Sequence, residues 1–522
     1  MAIGAATLGA LGTLAACADD GPTSAAPAAP SASLTPSALT ATAATAHTRF
    51  VDPAAGSDAN DGSAARPFKT LTKALALAQA KDTVRLAAGS YGPLDSGDPF
   101  PAAGTTVRSG VTILGAVDAG GNPTALLLGP FGAAAGLGLK LLGDAAVRDV
   151  EIASFPVGVY ARTGTQALTN VAIQPLGRGT HVVIDGVAEQ GGVVLRGTAR
   201  TTLTHGTVAM RGGFFSPAFG MTGVHVGDQA RFTWSGGTID GGAPNCGKDN
   251  VGIRAEEAAQ VTTLNLVATN ASSTLVMKNA TRATLTKTQT TRETPNGCEP
   301  SPSMILRGAA DLALSSSRVD GRGGKNAVGI EANNHATLTL TGSADTGHTG
   351  SGIHCDTDST RLTVSGSSVS ANGVGILARG KLPAITITGS SLVANTEGIR
   401  TDAPILRIRN TRVSHNATGI DIRGEVGYVF CVPGVPAGCA DLGTVNDPDN
   451  NIFSGNTSTG IFLENDVSSG AAVQAVGNVW NGGTQGSTID GRYPQRLLVN
   501  GLSPFAKGLN FIIQRSGYVI SL

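Results

Sequence analysis

Residues 372–422 read NGVGILARGKLPAITITGSSLVANTEGIRTDAPILRIRNTRVSHNATGIDI and contain two turns of a repeat. An isoleucine that follows a glycine recurs through this region at intervals of 23, 23, 23 and 21 residues. A period near 23, rich in β-branched residues and poor in aromatics, is typical of strands stacked coil upon coil. Each coil carries three apolar clusters, which predicts three parallel sheets around one core. The repeating isoleucines are Ile330, Ile353, Ile376, Ile399 and Ile420.

The composition agrees with an all-β solenoid. Glycine accounts for 72 of 522 residues and charged residues for 14%, which suits short strands joined by tight turns and does not suit disorder. The formal net charge is zero, so a strong electrostatic attraction to nucleic acid or to anionic lipid is not expected. We therefore predict no nucleic-acid partner.

The N-terminus has the features of a targeting segment. Residues 2–16 are small or apolar and end at Leu14-Ala15-Ala16-Cys17, which resembles a bacterial lipobox, although no basic residue precedes them. An ordinary cleaved signal is the alternative. The resemblance implies lipidation at Cys17 after a signal at residues 1–17, and hence export to the bacterial cell envelope or surface with a lipid anchor as the membrane contact. The Ala/Pro/Ser/Thr-rich residues 18–48 read as a tether.

Residues 49–95 form a separate module. Phe50 to Pro53, Gly56 to Asp58, Pro67 to Leu71 and Gly89 to Tyr91 carry its motifs, and an amphipathic helix is expected around residues 71–78. This module resembles the opening of a large, uncharacterised family of exported bacterial right-handed parallel β-helix proteins. The rest of the chain is similar to the pectin-lyase-like superfamily through its repeat. Some such proteins are pectate lyases and many have no assigned activity.

The resemblance and the repeat together predict the domain organisation. The N-terminal module, with its short helix, is expected to cap the first coil, because the open end of a coil stack exposes unpaired strand edges. A right-handed parallel β-helix is expected over residues 96–480, followed by a C-terminal cap over residues 481–522. We predict a monomer.

The acidic run Asp58-Ala59-Asn60-Asp61-Gly62 has two interpretations. It is similar to a calcium loop but lacks the alternating ligands and the distant glutamate of one. An Asx turn, in which short polar side chains bond the nearby backbone, is the simpler prediction. No cofactor is predicted, with Ca²⁺ left open but not indicated, and the sequence contains no metal-ligand spacing.

The cysteines fit an oxidising compartment. Cys431 and Cys439 flank a short Pro/Gly loop that a disulfide could close. Cys246 and Cys298 each lie seven residues before a presumed strand residue, Ile253 and Ile305, and are a second candidate disulfide. Cys355 lies two residues after Ile353, a position that points inward, so we expect a buried and inert thiol.

A column of polar residues precedes the isoleucines by four positions. Stacked side-chain amides can bond from coil to coil, and asparagine tolerates left-handed turns, so a structural ladder is expected. His348 lies beside this column and is expected to be hydrogen-bonded or exposed. The column comprises Asn326, Thr349, Asn372, Asn395 and Asn416.

If the isoleucines point inward, the next residue of each strand points outward. This first outward row is Glu331, His354, Leu377, Arg400 and Asp421. A second row, two residues further along, is Asn333, Asp356, Arg379, Asp402 and Arg423. Arg254 and Glu256 extend both rows to an earlier coil. Such a grid is unusual in a chain with few charges.

The grid supports two interpretations. As a functional face, it would bind polysaccharide through Glu331, Arg379, Arg400 and Arg423, or act on it through the catalytic candidates His354, Asp356, Asp402 and Asp421. Asp402 and Asp421 are expected about 8 Å apart, within the range for inverting glycoside hydrolysis. As a structural face, the alternating signs would form a salt-bridge ladder.

Residues 416–422 resemble a polygalacturonase motif, but Thr418 replaces the acidic residue of that motif, which argues against a polygalacturonase mechanism. Three functions follow from the sequence. The first is an exported β-helix protein that binds extracellular polysaccharide or surface components. The second is a polysaccharide lyase or glycoside hydrolase acting on the outward face, and the third is a structural or adhesive spike. Whether the chain is an enzyme stays open.

Overall fold

The computed structural model of the chain describes residues 45–130, 136–175, 182–210, 220–242, 250–292, 301–322, 328–356, 359–380, 384–402, 405–422, 440–442, 450–463, 473–474, 478–481 and 497–499. These residues form one α-helix and many short strands, nearly all in parallel pairs. Each strand pairs with its equivalent in the next coil. The predicted fold class, an all-β parallel β-helix, is confirmed.

One face of the coils is a 15-stranded parallel sheet that takes one strand from each coil. Its strands are Thr105–Val107, Leu137–Leu141, Val157–Ala161, Gly191–Leu195, Thr222–Val226, Val251–Ala255, Ser273–Lys278, Met304–Arg307, Val328–Asn333, Ser351–Asp356, Val374–Ala378, Glu397–Thr401, Thr418–Ile422, Thr459–Leu463 and Leu497–Val499. The last of these lies within the segment predicted as a C-terminal cap.

The remaining two faces form two ladders of a single 26-stranded sheet. The first ladder contains Thr48–Val51, Thr83–Leu86, Val111–Leu114, Ala145–Phe155, Thr165–Pro175, Arg200–Ala209, Arg231–Asp240, Gln260–Thr269, Arg282–Thr286, Asp311–Ser315, Thr337–Thr341, Arg361–Ser365, Ala384–Thr388, Ile405–Arg409, Ala440–Asp441 and Val473–Gln474. The second ladder adds Gly89–Tyr91, Ala125–Leu128, Gln289–Thr291, Arg318–Asp320, Ala344–Thr346, Ser368–Ser370, Ser391–Val393, Arg412–Ser414, Ile452–Ser454 and Val479–Asn481.

The two ladders merge because five long strands, from Ala145–Phe155 to Gln260–Thr269, run through the corner between them. Each long strand contains a residue with positive φ in its middle, namely Asp149, Asn170, His205, Gly236 and Asn265. One left-handed residue redirects the chain without ending its pairing. The predicted three ladder positions are therefore present, and two of them are continuous where these long strands run through the corner.

The core lies between the sheets and consists of the inward residues of every coil. The repeating isoleucines Ile330, Ile353, Ile376, Ile399 and Ile420 are all buried and in register. One expected core residue is not there: Ile305 belongs to the outward row, and Met304 takes the inward position. The 29-residue spacing from Leu275 to Met304 shifts the repeat by one residue relative to the expectation.

The asparagine column forms a buried ladder as predicted. The backbone N–H of Asn372 donates to Asn395 Oδ1 at 2.9 Å, and that of Asn395 donates to Asn416 Oδ1 at 2.9 Å. One assignment was wrong, because His348 and not Thr349 takes the ladder position, donating its N–H to Asn372 Oδ1 at 2.9 Å. One additional residue between this position and the following strand displaces Thr349. Asn326 lies outside the described residues.

A second buried ladder, which the sequence analysis missed, runs along the corner between the two ladders of the 26-stranded sheet. The N–H of Ser317 donates to Ser343 Oγ and that of Ser343 to Ser367 Oγ, each at 3.1 Å. Ser367 donates in turn to Ser390 at 3.2 Å, and Ser390 to Thr411 at 3.3 Å. Both corners thus satisfy their buried backbone N–H groups with short polar side chains from the next coil.

An acidic side chain interrupts the apolar core. Asp345 is fully buried at a position in register with Val319 and Val369. Its Oδ1 accepts a hydrogen bond from Asn372 Nδ2 at 3.2 Å, and its Oδ2 lies 3.5 Å from His348 Nε2. Burial raises the pKa of Asp345 well above its usual range.

The environment of His348 differs from the expectation. The side chain is fully buried, and among the described residues neither ring nitrogen has a hydrogen-bond partner. Burial lowers the pKa of His348 to about 4, so the imidazole is neutral at pH 7. Of the two expected states, the exposed one is excluded, because the ring is buried with Nε2 3.5 Å from Asp345 Oδ2.

The N-terminal module contributes the α-helix Leu71–Leu77, whose residues Leu71, Ala74 and Leu75 are buried in the common core. Asp58 binds the start of this helix, accepting hydrogen bonds from the N–H groups of Lys69 and Thr70 at 3.0 and 2.9 Å. Only Asp61 makes the expected Asx turn, to the N–H of Ser63 at 2.9 Å. No helix in the described part of the chain is long and apolar enough to span a membrane.

Candidate functional site on the 15-stranded sheet

The outward row of the 15-stranded sheet is one continuous line in register. Glu331, His354, Leu377, Arg400 and Asp421 occupy directly paired positions on successive strands, which confirms the predicted row. Adjacent members therefore lie about 4.8 Å apart along the stack. The same row continues upstream through Lys140, Tyr160, Val194, His225, Arg254, Val276 and Ile305.

A glycine lies two residues before most members of this row. A Cβ at Gly375 would lie 2.5 Å from the carbonyl oxygen of Gly398, and a Cβ at Gly398 would lie 2.4 Å from that of Gly419. Such contacts are too close for a side chain, so these coils approach each other closely because the residue is glycine. Thr274 and Ser303 take the same position before Val276 and Ile305, so glycine is not required at every coil.

The densest group of charges on this face surrounds His225, and we call it the His225 cluster. His225 Nδ1 lies 3.2 Å from Glu189 Oε2, and His225 Nε2 lies 3.5 Å from Glu256 Oε2. Arg196 Nε donates a hydrogen bond to Glu189 Oε1 at 2.6 Å, and Lys278 Nζ donates to Glu256 Oε1 at 3.0 Å. One imidazole therefore lies between two carboxylates, each of which also binds a cation.

The pKa values within the His225 cluster follow from these contacts. Burial alone would lower the pKa of His225, but Glu189 and Glu256 outweigh it and raise that pKa above its usual value. Burial would likewise raise the pKa of Glu189, but His225 and Arg196 hold it below its usual value. His225, acting with Lys278 against burial, lowers the pKa of Glu256 to about 2. The charged forms of all three groups are thus favoured together.

A β-hairpin brings Glu189 to this cluster. Val182–Ile184 and Val187–Glu189 pair antiparallel around Asp185 and Gly186, both with positive φ. This is the type of two-residue turn that Asp-Gly favours. The hairpin packs on the outward face of the sheet through a small apolar cluster formed by Leu137, Val157, Tyr160, Ile184 and Val194.

Polar contacts also attach the tip of the hairpin. The Asp185 carboxylate accepts a hydrogen bond from the Tyr160 hydroxyl at 3.1 Å and from Arg162 Nη1 at 2.9 Å. Lys140 Nζ lies 3.9 Å from the same carboxylate. The hairpin thus covers the upstream end of the outward row. From His225 onward, the row is only partly exposed to solvent.

Ion pairs also connect the downstream half of the face. Arg400 binds Glu397 on its own strand, and its Nε lies 3.7 Å from Asp421 Oδ2 on the next. Arg307 Nη2 lies 3.9 Å from Glu331 Oε1. The Asp421 side chain is only 3% exposed, so the Arg400 guanidinium compensates a nearly buried carboxylate. These contacts agree with the predicted charge ladder.

His354 differs from His225 in its protonation. It lies between Glu331 and Leu377 in the row and is half-buried. Burial lowers the pKa of His354 although Asp356 and Glu331 oppose the shift. Its Nε2 is buried without a hydrogen-bond partner among the described residues. His354 is therefore neutral at pH 7.

The second predicted row lies beside the first. Asn333 pairs directly with Asp356, and the N–H groups of Arg379 and Asp402 donate to carbonyls of the preceding coils at 2.8 and 2.9 Å. Asp402 is exposed whereas Asp421 is buried, so the two proposed carboxylates have different surroundings. Arg423 lies outside the described residues.

In the described part of the chain, neither a cysteine nor a metal site contributes to this face. Burial raises the pKa of the Cys355 thiol to about 12, in line with the expected inert position. The predicted lipidation site Cys17 and the predicted disulfide cysteines Cys246, Cys298, Cys431 and Cys439 lie outside the described residues. Within the described ranges, no three His, Cys, Asp or Glu side chains are grouped to hold a metal ion.

The sequence analysis missed Glu189, Arg196, His225 and Lys278. His225 could have been found, because residues 223–226 read GVHV and repeat the pattern of GIHC at residues 352–355. Extending the row upstream by that pattern would have included it. Glu189 comes from a hairpin outside the repeat, and the Asp185-Gly186 dipeptide was its only local indication.

Comparison with known proteins found one family model and a set of similar solved structures. A family model described as "Protein of unknown function (DUF1565)" matches residues 54–208. No curated protein matches the chain in sequence. Similar solved structures include tailspike protein 3 of bacteriophage CBA120, at 12% identity and a TM-score of 0.41, which covers 83% of this chain and 59% of that chain.

Two further structures are a pectate lyase and an α-1,3-glucanase catalytic domain. The pectate lyase has 12% identity and a TM-score of 0.33, with coverage of 72% of this chain and 80% of that one. The glucanase domain has 10% identity and a TM-score of 0.38, with coverage of 79% and 67%. This chain spans 59% of the length of the tailspike. The predicted resemblance to pectin-lyase-like β-helix proteins is confirmed for the fold alone.

Proposed function

We propose that this protein binds polysaccharide along the outward face of the 15-stranded sheet. The observation that carries the proposal is the continuous row from His225 to Asp421, in which cations, carboxylates and imidazoles lie in register and are interrupted only by the apolar residues Val276, Ile305 and Leu377. A row with one side chain about every 4.8 Å suits a linear polymer with a repeating unit. Guanidinium groups and carboxylates are suitable partners for sugar hydroxyl and carboxyl groups.

Ion pairing on this face is compatible with binding. The contacts of Arg400 with Glu397 and Asp421, and those of His225 with Glu189 and Glu256, hold the polar groups in place before a ligand arrives. Preorganised groups lose less conformational entropy on binding. The proposal includes export and a lipid anchor at Cys17, which would display the face at the cell envelope.

A glycan array with the purified chain tests the proposal. We expect binding to one class of polysaccharide, and weaker binding by about tenfold in an Arg254→Gln/Arg400→Gln variant, because two cations of the face are lost. A Lys69→Gln/Lys81→Gln variant, which removes two exposed charges from the N-terminal module, is the matched control. Equal binding by all three proteins would refute this location of the site.

A lyase or hydrolase is the second candidate. The neutral state of His354, with its free Nε2, favours it, because a general base must be unprotonated. The carboxylates of Glu189 and Glu256 are less suitable as general acids, since their pKa values are lowered. Incubation with uronate-containing polysaccharides should then give shorter or unsaturated chains, and His354→Gln or Asp402→Asn should abolish that reaction. Unchanged chain length would exclude the enzyme.

A structural spike is the third candidate, and the ion pairs of Arg400 favour it. A double-mutant cycle on Arg400 and Asp421 separates it from binding. Stability coupling without any effect on ligand capture would support a purely structural ladder.

A further inference from the structure

The first ladder of the 26-stranded sheet carries a row of arginines on its outward face. Strand register places Arg200 beside Arg231, and Arg282 two strands further along. Arg361 follows three strands after Arg282, so the row spans about 29 Å at the usual strand spacing. Asp311 is the one acidic residue in this row between Arg200 and Arg361. We call it the arginine row.

Among the residues that the structure describes, these arginines have no anionic partner. All four side chains are exposed, and within the described ranges no carboxylate lies within ion-pair distance of any of them. Arg200 and Arg231 are direct neighbours, and like charges at that position are destabilising. The free protein therefore carries an unfavourable repulsion that a bound anion would relieve.

Two rows that are hydroxylated at every position except Ala313 and Leu264 run parallel to the arginine row. Successive positions along each strand alternate between core and solvent, so the rows lie about 7 Å apart. The nearer row is Thr202, Thr233, Thr262, Thr284, Ala313, Thr339, Thr363 and Thr386. The farther row is Thr204, Ser235, Leu264, Thr286, Ser315, Thr341, Ser365 and Thr388.

The aromatic residues of this region do not contribute to the surface. Phe232 and Trp234 point inward and are fully buried, which leaves Thr233 between them as the outward residue. A ligand on this face would therefore be held by cations and hydroxyl groups and not by stacking on rings. The pattern of one charged row beside two hydroxyl rows repeats along the coil axis.

We propose that this arginine–threonine face binds a linear anionic polysaccharide whose chain follows the stacked coils. Carboxylate or sulfate groups of the sugar would bind the arginine row, and sugar hydroxyl groups would bind the threonine rows. Nucleic acid fits less well, because duplex DNA carries one charge about every 1.7 Å whereas this row has four cations over its length and an acidic residue among them. The face is independent of the 15-stranded sheet.

Binding of the full chain to three sugar polymers tests the inference. Polygalacturonate supplies carboxylates, dextran sulfate supplies sulfates, and unmodified dextran is the neutral control. We expect at least one anionic polymer to bind in a salt-dependent manner, with dextran showing no binding. An Arg200→Gln/Arg231→Gln/Arg282→Gln/Arg361→Gln variant should bind about tenfold more weakly, since four exposed ionic contacts are lost.

Matched variants separate this face from general charge and from the other sheet. An Arg200→Gln/Arg231→Gln variant removes the same charge as Lys69→Gln/Lys81→Gln, and only the former should weaken binding. A Thr233→Val/Thr262→Val/Thr284→Val variant keeps the shape but removes three hydroxyls, and should also weaken binding. Unfolding midpoints like that of the parent chain establish that the variants fold, since all seven positions are exposed.

Three results would overturn the inference. The first is unchanged affinity in the folded quadruple variant. The second is an equal loss in the Lys69→Gln/Lys81→Gln control, and the third is displacement of the bound sugar by duplex DNA at equal charge concentration. If the quadruple variant binds normally while Arg254→Gln/Arg400→Gln does not, the inference fails and the proposed function of the 15-stranded sheet survives.

Discussion

Short polar side chains inside the corners bond from one coil to the next. Asn395 illustrates the arrangement, because its Oδ1 accepts from the N–H of Asn372 while its Nδ2 donates to the carbonyl of Val369 at 3.1 Å. Backbone groups at a buried corner have no strand partner, so a side chain must replace one. Each asparagine thereby satisfies the backbone of the preceding coil.

Asn395→Ala should therefore lower the free energy of unfolding by about 2 kcal/mol or more, because it leaves a buried N–H and a buried carbonyl unpaired. Chemical denaturation followed by circular dichroism measures the loss. Thr396→Ala, at the exposed neighbouring position, is the control and should change stability by less than about 0.5 kcal/mol. Equal effects of the two substitutions would contradict a ladder.

Asp345 is the residue at which the core departs from an apolar pattern. The space for its carboxylate comes from two glycines of the facing sheet, since a Cβ at Gly329 or Gly352 would lie 2.4 or 2.2 Å from its oxygens. Burial favours its neutral form. The acid is thus held protonated beside a neutral His348.

The contribution of Asp345 to the stability of the chain should consequently fall as pH rises. A carboxyl whose folded pKa is raised stabilises the protein fully below its unfolded pKa near 3.8, and this contribution is lost as pH increases through the folded pKa. Asp345→Asn cannot ionise, so its unfolding midpoint should exceed that of the parent chain by a margin that grows from pH 4 to pH 8. Each unit of raised pKa corresponds to about 1.4 kcal/mol.

Thermal melts at several pH values provide the measurement. Asp311→Asn, an exposed carboxyl, serves as the control. The depressed pKa of His348 acts in the opposite direction, because its contribution is lost as pH falls from 6.5 through about 4. A constant difference between the parent chain and Asp345→Asn over this range would contradict a buried neutral acid.

For individual residues, the sequence predicts the position in the coil better than it predicts the environment of the side chain. The repeat located Asn372, Asn395 and Asn416 correctly because their spacing from the core isoleucines is constant. It misplaced Thr349, since a single inserted residue is invisible without the pairing of the next strand. The buried state of Asp345 could not be predicted, because it depends on the glycines Gly329 and Gly352, which belong to the facing sheet.

Among the elements, the hairpin from Val182 to Glu189 is the one that leaves the solenoid pattern. Ile184 packs on Tyr160 and Val194, while Val183 on its opposite side is 71% exposed. Polar contacts of Asp185 hold its tip. The hairpin is therefore a small, separately attached unit whose last residue completes the His225 cluster.

Asp185→Asn should loosen this hairpin without unfolding the coils. Asparagine tolerates the positive φ of the turn, so the substitution removes only the charge that binds Arg162 and Lys140. Native-state hydrogen exchange should show faster exchange at Val182–Glu189 and unchanged exchange in the flanking strands. The free energy of unfolding should change by less than about 1 kcal/mol, because exposed ion pairs contribute little.

If the hairpin of this variant is as well protected from hydrogen exchange as that of the parent chain, its apolar contacts are sufficient to hold it in place.

From the sequence, the coil strands are predictable because core residues recur with a fixed period. The hairpin is not, because it is inserted between two repeats and only its Asp-Gly turn is characteristic. The merging of two ladders was equally hidden, since one left-handed residue such as Asn170 is enough to continue a strand around the corner.

Considered as a whole, the coil stack is held together by contacts between neighbours. Val374 pairs with Glu397, Ile376 with Ile399, and each corner ladder also joins adjacent coils. Stability in such arrays is close to a sum over repeats and their interfaces. Removing a complete coil should therefore leave the remaining contacts intact.

Deletion of Val374–Thr396 removes 23 residues and joins Gly373 to Glu397 in the same register. We expect the shortened chain to fold, with a β-rich circular dichroism spectrum and a modestly lower unfolding midpoint. Deletion of 12 residues from the same point should prevent folding of the downstream coils, because every inward residue would lose its position. Equal behaviour of the two deletions would contradict a register set by whole coils.

The fold of the whole molecule was predictable because one regular segment, residues 326–423, determines how all coils stack. Coils outside that segment vary in length, and Ile305 shows how a longer coil moves the repeat by one residue. The candidate faces were only partly predictable for the same reason. His225 lies where the period is less regular, and the arginine row lies on the sheet whose strands the repeat did not separate.

The column of glycines affects how the sequence can change during evolution. Because the glycine allows close approach of the coils whatever residue follows two positions later, that outward position accepts side chains of very different chemistry. Lysine, tyrosine, valine, histidine, arginine, glutamate, leucine and aspartate all occur there on the same backbone. Single substitutions at this position can therefore give the β-helix a new surface chemistry while its core stays the same.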